Sequence, residues 1–209
     1  MAQRLFAAMA RGASSLPSMS ALFLGMSLST GQVQAKNPPE NLQWQTYNKS
    51  YEGQRYSPLR QIDRTNIATL KRVCEVEVGE QGAFQSGLLV IDDTLFMTTP
   101  HTTLAVNATT CEVRWRDVHV ETAPYLNPGN RGPAYYEGKI FRGTGDGWLV
   151  AFDARTGRQL WKVAAGDTKL GEHFSSAPIA WKGKLYIGTS GGDWGAQARV
   201  AAYDVDDGR

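Results

Sequence analysis

The chain has 209 residues and carries 22 lysines and arginines against 20 aspartates and glutamates, a formal net charge of +2. This balance gives no electrostatic basis for binding nucleic acid or an anionic surface, so neither partner is expected. The three histidines, His101, His119 and His173, are far apart in sequence, and the two cysteines lack metal-ligand spacing. These histidines and cysteines therefore do not form the spacing pattern of a zinc site.

Residues 1–35 have the features of a secretory signal peptide. Arg4 and Arg11 form a basic start, an apolar stretch follows at 19–28, and Val33-Gln34-Ala35 is a cleavage site of small residues. The apolar stretch is too short to span a bilayer, which needs about 20 residues. We therefore expect a cleaved signal peptide and a periplasmic mature chain with a net charge of zero. An uncleaved amphipathic tail is the alternative.

Residues 36–70 form a polar segment that is rich in tyrosine and turn-forming residues and shows no sustained hydrophobic period. We predict that it is an extended arm leading into a first strand at 72–78. Cys74 lies on that strand, 37 residues before Cys111. In an oxidising compartment these two cysteines would form a bridge that stabilises the fold by about 4 kcal/mol. Two buried, unpaired thiols are the alternative.

From residue 71 onward the sequence repeats a unit of short apolar runs that are separated by turn signals. Leu95, Ile140 and Leu185 occupy matched positions 45 residues apart. Alternating runs separated by turns predict an antiparallel meander, and a period of this length is typical of propeller blades. We therefore predict an all-β fold for 71–209, namely about three four-stranded antiparallel blades of an incomplete β-propeller.

The turns of the central unit, residues 132–161, are well marked. They are Glu137-Gly138, Gly145-Asp146-Gly147 and Thr156-Gly157. Asp146 raises the question of a metal loop, but Asp-Gly between two strands is a common hairpin turn, so we assign no metal to it.

The arm also carries a specific residue signature. In chain order its residues are Trp44, Lys49, Tyr56-Ser57-Pro58-Leu59, Ile62, Asn66 and Leu70-Lys71. This order resembles the amino-terminal signature of the bacterial quinoprotein dehydrogenases, which oxidise alcohols or sugars with pyrroloquinoline quinone (PQQ). Asn48, Asp63 and Ile67 depart mildly from the family, which usually has Gly, Asn and Val there.

The resemblance extends to the blades, because blades of this family end in a tryptophan-docking motif. Thr156-Gly157 followed by Trp161 is a full copy, and Thr110-Cys111 followed by Trp115 has cysteine in place of the turn glycine. A third copy starts at 205–209. The Thr-Gly pair makes a tight turn, and the tryptophan buries about 150 to 250 Å² against the neighbouring blade. The family has eight blades and a closed propeller needs at least four, so we expect this chain to be part of a longer protein.

Two segments match the family's contacts to the cofactor near the first two blades. Gln85 stands where alcohol-oxidising relatives commonly have a glutamate that contacts a PQQ carboxylate, and its amide can donate to the same group. Arg131, in the segment 127–132, matches an arginine that reaches the quinone oxygens and stabilises negative charge there. Adjacent cysteines that many relatives have just before this arginine are replaced here by 124–127. The alternative for Gln85 is an ordinary polar residue at a strand start. The alternative for Arg131 is a surface arginine.

A third segment matches both cofactor and metal contacts. Ser175 corresponds to a hydroxyl that contacts PQQ, and Ser190, Gly191 and Gly192 correspond to a Ser-Gly-Gly or Ser-Gly-Ala segment that approaches it closely. Asp193 follows where the family usually has a glutamate that binds the metal. Its carboxylate suits Ca²⁺ or a lanthanide, although it is one methylene shorter. Without the resemblance, this segment would be an ordinary hairpin turn.

The resemblance therefore implies the amino-terminal part of a periplasmic dehydrogenase with PQQ and Ca²⁺ or a lanthanide on the propeller axis. Its substrate would be a small alcohol or sugar, and its electron acceptor cytochrome c or a membrane quinone. We expect the catalytic base and the remaining metal ligands to lie after Arg209, which would leave this part inactive alone.

Two alternatives lack redox chemistry. One is a scaffold or binding propeller of the cell envelope, although a scaffold lipoprotein would have a cysteine at its cleavage site and none precedes Cys74. The other is a secreted sugar-binding propeller.

Overall fold

The structure is a computed structural model that describes residues 42–82, 84–124, 127 and 129–209. The expected signal peptide, 1–35, and the start of the arm lie outside the described residues. None of the helices in the described part has the length and apolar character needed to cross a membrane.

The predicted all-β architecture is confirmed as three antiparallel sheets, each formed by consecutive strands of the chain. The first sheet contains β1 (Leu89–Ile91), β2 (Thr94–Thr98), β3 (Thr102–Asn107) and β4 (Val113–Val118). The second contains β5 (Ala134–Tyr136), β6 (Lys139–Gly143), β7 (Trp148–Asp153) and β8 (Gln159–Ala164). The third contains β9 (Ile179–Trp181), β10 (Lys184–Gly188) and β11 (Val200–Asp204). Short 3₁₀ turns at Ile67–Thr69, Thr168–Leu170 and Gly192–Trp194 complete the described elements.

The sequence dictates the first hairpin of the second and third sheets through two-residue turns. Glu137 and Gly138 have φ of 44° and 78°, and Lys182 and Gly183 have φ of 47° and 75°. Two successive positive φ values are required by a type I′ turn, whose twist matches that of the strands it joins. These turns bring β5 onto β6 and β9 onto β10, with Tyr136 opposite Lys139 and Trp181 opposite Lys184.

The hydrophobic core lies between the sheets. The second sheet is buried on both faces, because Ile140 and Phe152 pack with the first sheet while Phe141 and Leu149 pack with the third. Burial on both faces explains why its central strands contain continuous apolar runs rather than a strict alternation. The three sheets therefore stack face to face like neighbouring blades.

Tryptophan docking joins these blades as predicted. Trp115 on β4 packs against Gly157, where an added Cβ would lie 2.6 Å from the ring, and its Nε1 donates to the Ala154 carbonyl at 2.8 Å. Trp161 on β8 donates to the Val205 carbonyl at 3.1 Å and packs against Gly208 in the same way. The outermost strands of the first two sheets, β4 and β8, are thus each anchored on the last turn of the next sheet.

Buried polar groups fasten the hairpin ends at these same junctions. Asp146, whose turn was predicted to have no metal, lies in the β6–β7 hairpin with its carboxylate fully buried. It accepts hydrogen bonds from the Thr144 hydroxyl at 2.6 Å and the Thr122 amide at 2.8 Å, and it contacts His119 Nε2 at 2.8 Å. Burial raises the pKa of this carboxyl, but the hydrogen bonds outweigh it and lower the pKa to about 2. The turn therefore links the first sheet to the second.

One predicted strand, 72–78, is wrong: this segment is extended but pairs with no strand in the described part of the chain. A strand needs a neighbour for its backbone groups, and the sequence pattern cannot show whether one is present. Of the two alternatives for the cysteines, the bridge is confirmed, since Cys74 and Cys111 form a disulfide with their Cα atoms 5.9 Å apart.

Candidate cofactor site

Three loops that precede β1, β5 and β9 meet at one edge of the stacked sheets. The Gly87 amide donates to the Arg131 carbonyl at 2.8 Å, and the Arg131 amide donates to the Ser175 carbonyl at 2.9 Å. Gly132 permits this approach, because its φ is 125° and an added Cβ would lie 2.7 Å from the Gly87 carbonyl oxygen. The backbone thus brings the predicted site segments of three different blades into contact.

Side chains continue this connection. Arg131 Nη1 donates to Ser175 Oγ at 3.0 Å, and Ser175 Oγ lies 2.8 Å from Ser190 Oγ. Ser175 is buried, Ser190 is half-buried and Arg131 is exposed. Within the described residues the Arg131 guanidinium has no carboxylate partner. The guanidinium therefore donates to one hydroxyl group, which in turn contacts a second.

Gln85 lies against the same loop. An added Cβ on Gly129 would be 2.6 Å from Gln85 Oε1 and 3.0 Å from Asn127 Oδ1, so the carboxamide packs closely on the backbone that leads to Arg131. The side chain is exposed. The structure therefore places Gln85 beside the segment that carries Arg131.

The loop after β10 supplies the predicted glycines and carboxylate. Ser190 exchanges backbone hydrogen bonds with His173, which fixes the start of the loop next to Ser175. Gly191 has φ of 123°, and an added Cβ would lie 2.2 Å from the Gly171 carbonyl oxygen, so only glycine fits there. Gly192 instead borders open space, which leaves its backbone accessible to a ligand.

Asp193 lies on the 3₁₀ turn Gly192–Trp194 and is exposed. Among the residues that the structure describes, no group of three or more histidine, cysteine, aspartate or glutamate side chains gathers around a common point. Asp193 is therefore a single carboxylate of the right hardness for Ca²⁺ or a lanthanide, on the loop that also carries Ser190.

Sequence reasoning did not identify the residue that holds the Arg131 loop in place. Asn130 is 3% exposed; its Oδ1 accepts from the Thr98 hydroxyl at 2.6 Å, and its Nδ2 donates to the Gly143 carbonyl at 2.9 Å. It thereby fixes the loop to β2 and β6 at once. Asparagine beside glycine is common in turns, and sequence alone does not reveal partners on two other strands.

His173 is a second residue that the sequence pattern did not mark. It is 2% exposed, and its Nδ1 lies 3.2 Å from the Gly171 carbonyl oxygen. In the described part of the chain, Nε2 is the buried side-chain polar atom that lacks a hydrogen-bond partner. The ring packs against Trp194, with centroids 5.8 Å apart. The His173 imidazole therefore lies beside the loop that carries Asp193.

The arm borders this site. A cleft of about 250 Å³ next to Arg131 is lined by Tyr47 and Tyr51 of the arm and by 176–179 of the third sheet's entry loop. Gly87 allows the arm to approach, since an added Cβ would lie 2.4 Å from the Tyr47 ring. The residues that resemble the family signature thus begin next to the residues that resemble its cofactor contacts.

The chain matches known proteins over most of its length. The family model described as PQQ, glucose/ethanol/alcohol dehydrogenase, beta-propeller domain, matches residues 44–209. The lanthanide-dependent methanol dehydrogenase of Methylacidiphilum fumariolicum is 35% identical over 175 residues, which are 79% of this chain and 29% of that protein. The dehydrogenase subunit of the alcohol dehydrogenase (quinone) of Gluconacetobacter polyoxogenes is 34% identical over 189 residues, 85% of this chain and 25% of that protein.

Solved structures of dehydrogenases also resemble this chain. A europium-containing methanol dehydrogenase superposes with a TM-score of 0.75 at 34% identity, over 82% of this chain and 31% of that one. The quinohemoprotein alcohol dehydrogenase from Comamonas testosteroni gives a TM-score of 0.74 at 26% identity, over 80% of this chain and 26% of that one. The chain spans less than a third of the length of these relatives. It belongs to the PQQ-dependent glucose/ethanol/alcohol dehydrogenase family, as part of that family's β-propeller domain.

Proposed function

We propose that this chain forms the first blades of a periplasmic dehydrogenase that uses PQQ and Ca²⁺ or a lanthanide to oxidise a small alcohol or a sugar. The observation that supports this most directly is the connection from Arg131 through Ser175 to Ser190, which assembles a cation and two hydroxyl groups from separate blades. Arg131 differs from an ordinary surface arginine because its guanidinium donates to a serine on the loop of another blade.

The donor set fits the chemistry of the cofactor. PQQ has three carboxylates and an orthoquinone, so its site needs a cation, hydrogen-bond donors and a hard metal ion. In our proposal, Arg131 would face the quinone oxygens, and Gln85, Ser175 and Ser190 would donate to its oxygen atoms. Gly191 and Gly192 would let the backbone approach closely, since a side chain at Gly191 would clash. When bound, PQQ accepts the two electrons that leave the substrate.

The residues of this chain would then bind and orient rather than exchange protons. Arg131 would stabilise negative charge that develops next to it. Asp193 would contribute one oxygen ligand to the metal, while further ligands and the catalytic base would come from outside this sequence. Cytochrome c or a membrane quinone is the proposed electron acceptor.

Reconstitution of the complete protein tests the proposal. The apoprotein, supplied with PQQ and either Ca²⁺ or La³⁺, should gain the absorbance of the bound cofactor and reduce an artificial dye when given short alcohols or aldoses. The variant Arg131→Ala should weaken binding of the cofactor. Its matched control is Arg155→Ala, which removes an exposed arginine from the docking turn. Absence of both cofactor absorbance and dye reduction with every substrate would favour a scaffold or sugar-binding propeller instead.

A further inference from the structure

A buried network of hydrogen bonds connects the loops that carry Gln85 and Arg131. Thr98 at the end of β2 and Asn130 in the Arg131 loop are 1% and 3% exposed. Thr98 Oγ1 donates to Asn130 Oδ1 at 2.6 Å, and it lies 3.4 Å from Ser86 Oγ. The Thr98 amide also donates to Ser86 Oγ at 3.1 Å. Because Ser86 follows Gln85 directly, the Ser86–Thr98–Asn130 network joins the neighbours of two predicted cofactor contacts.

Backbone groups fix the orientation of the Asn130 carboxamide within this network. The Gly143 carbonyl can only accept, and it receives a hydrogen bond from Nδ2 at 2.9 Å. The Gly132 amide can only donate, and it reaches Oδ1 at 3.2 Å. Oδ1 therefore also faces Thr98, whose hydroxyl has to donate its single proton there. The network thus has one direction, and the Thr98 hydroxyl can only accept on the side of Ser86.

The same network holds the backbone on both sides of Arg131. Asn130 binds the Gly132 amide with its own side chain, so it spans Arg131. The Arg131 amide donates to the Ser175 carbonyl at 2.9 Å, and the Arg131 carbonyl accepts from the Gly87 amide at 2.8 Å. The Arg131 loop and the Gln85 loop are thus joined twice, once through the backbone and once through the side chains of the network.

We infer that Thr98 and Asn130 are positioning residues of the candidate cofactor site, which fix the Arg131 loop on the Gln85 loop before the cofactor binds. This inference rests on the proposed function, since it concerns the same site. The side chains of Gln85 and Arg131 are both exposed, so buried contacts from the neighbouring strands have to set the positions of their loops. A loop that already has its binding geometry loses less conformational entropy when the ligand binds.

Hydrogen exchange of the complete protein without cofactor tests the positioning role. Thr98→Val keeps nearly the same shape but removes the hydroxyl, so the Asn130 carboxamide loses its link to β2. The amides of Gly87, Arg131 and Gly132 should then exchange about 10-fold faster than in the wild type. Those of 159–164 should change by less than about 2-fold. Unchanged exchange at all three amides would overturn the inference.

Two further variants serve as matched controls. Thr98→Ser keeps the hydroxyl, so the exchange of the loop amides should return to that of the wild type. Thr103→Val removes another buried hydroxyl, which belongs to the residue opposite Thr98 on β3 and accepts from Arg142 Nη1 at 3.2 Å. It should leave the loop amides unchanged. An equal increase in Thr103→Val would overturn the inference, because the loop would then respond to the loss of any buried hydroxyl.

A variant at the other end of the network covers the case in which Thr98→Val does not fold. Ser86 is half-buried, and Ser86→Ala removes the group that accepts from the Thr98 amide. The Gly87 amide should exchange about 3-fold faster or more in this variant. Exchange equal to that of the wild type would contradict the network.

Equilibrium titration of the complete apoprotein with PQQ in the presence of Ca²⁺ measures the consequence for binding. Thr98→Val should weaken PQQ binding about 10-fold, as expected for the loss of one buried hydrogen bond. In the Arg131→Ala background the same substitution should weaken it by at most about 3-fold, because Thr98 acts mainly through Arg131. Equal losses in both backgrounds would overturn the positioning role, since a general loss of structure does not depend on Arg131.

The two measurements separate this inference from the proposed function. A wild-type protein that does not bind PQQ would refute the proposed function, and the exchange rates, which need no cofactor, would still show whether Thr98 fixes the Arg131 loop. A wild-type protein that binds PQQ as tightly as Thr98→Val would refute the positioning role alone.

Discussion

Tryptophan docking predicts that two alanine substitutions of similar backbone geometry differ strongly in cost. Gly157 has φ of 72° and Gly138 has φ of 78°, so alanine at either site suffers the same left-handed strain. That strain costs about 1 to 2 kcal/mol, partly offset by a stiffer unfolded chain. At Gly138 an added Cβ meets nothing within 4 Å. Gly138→Ala should therefore lower the free energy of unfolding by about 1 kcal/mol.

At Gly157 the same methyl group would also clash with the docked ring. Its Cβ would lie 2.6, 2.7 and 2.8 Å from three ring atoms of Trp115, a buried side chain that cannot move without losing its bond to Ala154. Overpacking of this kind costs about 1 to 3 kcal/mol. Gly157→Ala should thus lose about 2 to 4 kcal/mol in total.

Equilibrium unfolding of the complete protein in urea, followed by far-ultraviolet circular dichroism, measures both values. The midpoint of thermal unfolding should also be lower for Gly157→Ala than for Gly138→Ala. Equal losses for Gly157→Ala and Gly138→Ala would refute the account, because the docked ring would then contribute nothing to the cost.

Further predictions concern acid stability, the disulfide and the cofactor. The pKa of Asp146 is lowered to about 2 from an ordinary value of 3.8, so its stabilisation is complete above pH 4 and is lost as the pH falls towards 2. Asp146→Asn should reduce the loss of unfolding free energy between pH 4 and pH 2 by roughly 2 kcal/mol, as measured by unfolding at several pH values. The same loss in the variant and the wild type would contradict this prediction. Reduction of the Cys74–Cys111 disulfide should destabilise the fold by about 4 kcal/mol. The variant that combines Cys74→Ser with Cys111→Ser should not respond to the reductant. Arg131→Ala should weaken PQQ binding by roughly 10- to 100-fold in equilibrium titration, and unchanged affinity would remove Arg131 from the site.

Local patterns in the sequence predicted the blades, and the family resemblance predicted their tryptophan-docked junctions. Turn pairs such as Glu137-Gly138 specify their own geometry, and Trp115 and Trp161 each follow a similar turn closely, as the docking motif of the resembled family requires. The site residues Arg131, Ser175 and Ser190 were found through the resemblance, and the structure brings them together. Spacing alone would not have done so, because their contacts cross three loops.

Other features depend on partners distant in sequence. The segment 72–78 has the pattern of a strand, yet pairing requires a neighbour that no local pattern can reveal. Asn130 and Arg142 are fully or nearly fully buried, contrary to the usual preference of polar side chains for the surface. They are accommodated because carbonyls and hydroxyls of neighbouring hairpins surround them; Arg142 donates to the Pro100 carbonyl at 2.6 Å. Such acceptors become visible only once the sheets are stacked.

The central claim is that the edge formed by Arg131, Ser175, Ser190 and Asp193 is a cofactor and metal site. Anomalous diffraction from crystals of the complete protein, grown with PQQ and a lanthanide, tests it most directly. The account predicts an anomalous peak about 2.3 to 2.6 Å from an Asp193 carboxylate oxygen, with the Arg131 guanidinium against the bound quinone. A lanthanide and PQQ bound elsewhere, with Asp193 and Arg131 both facing solvent, would contradict it.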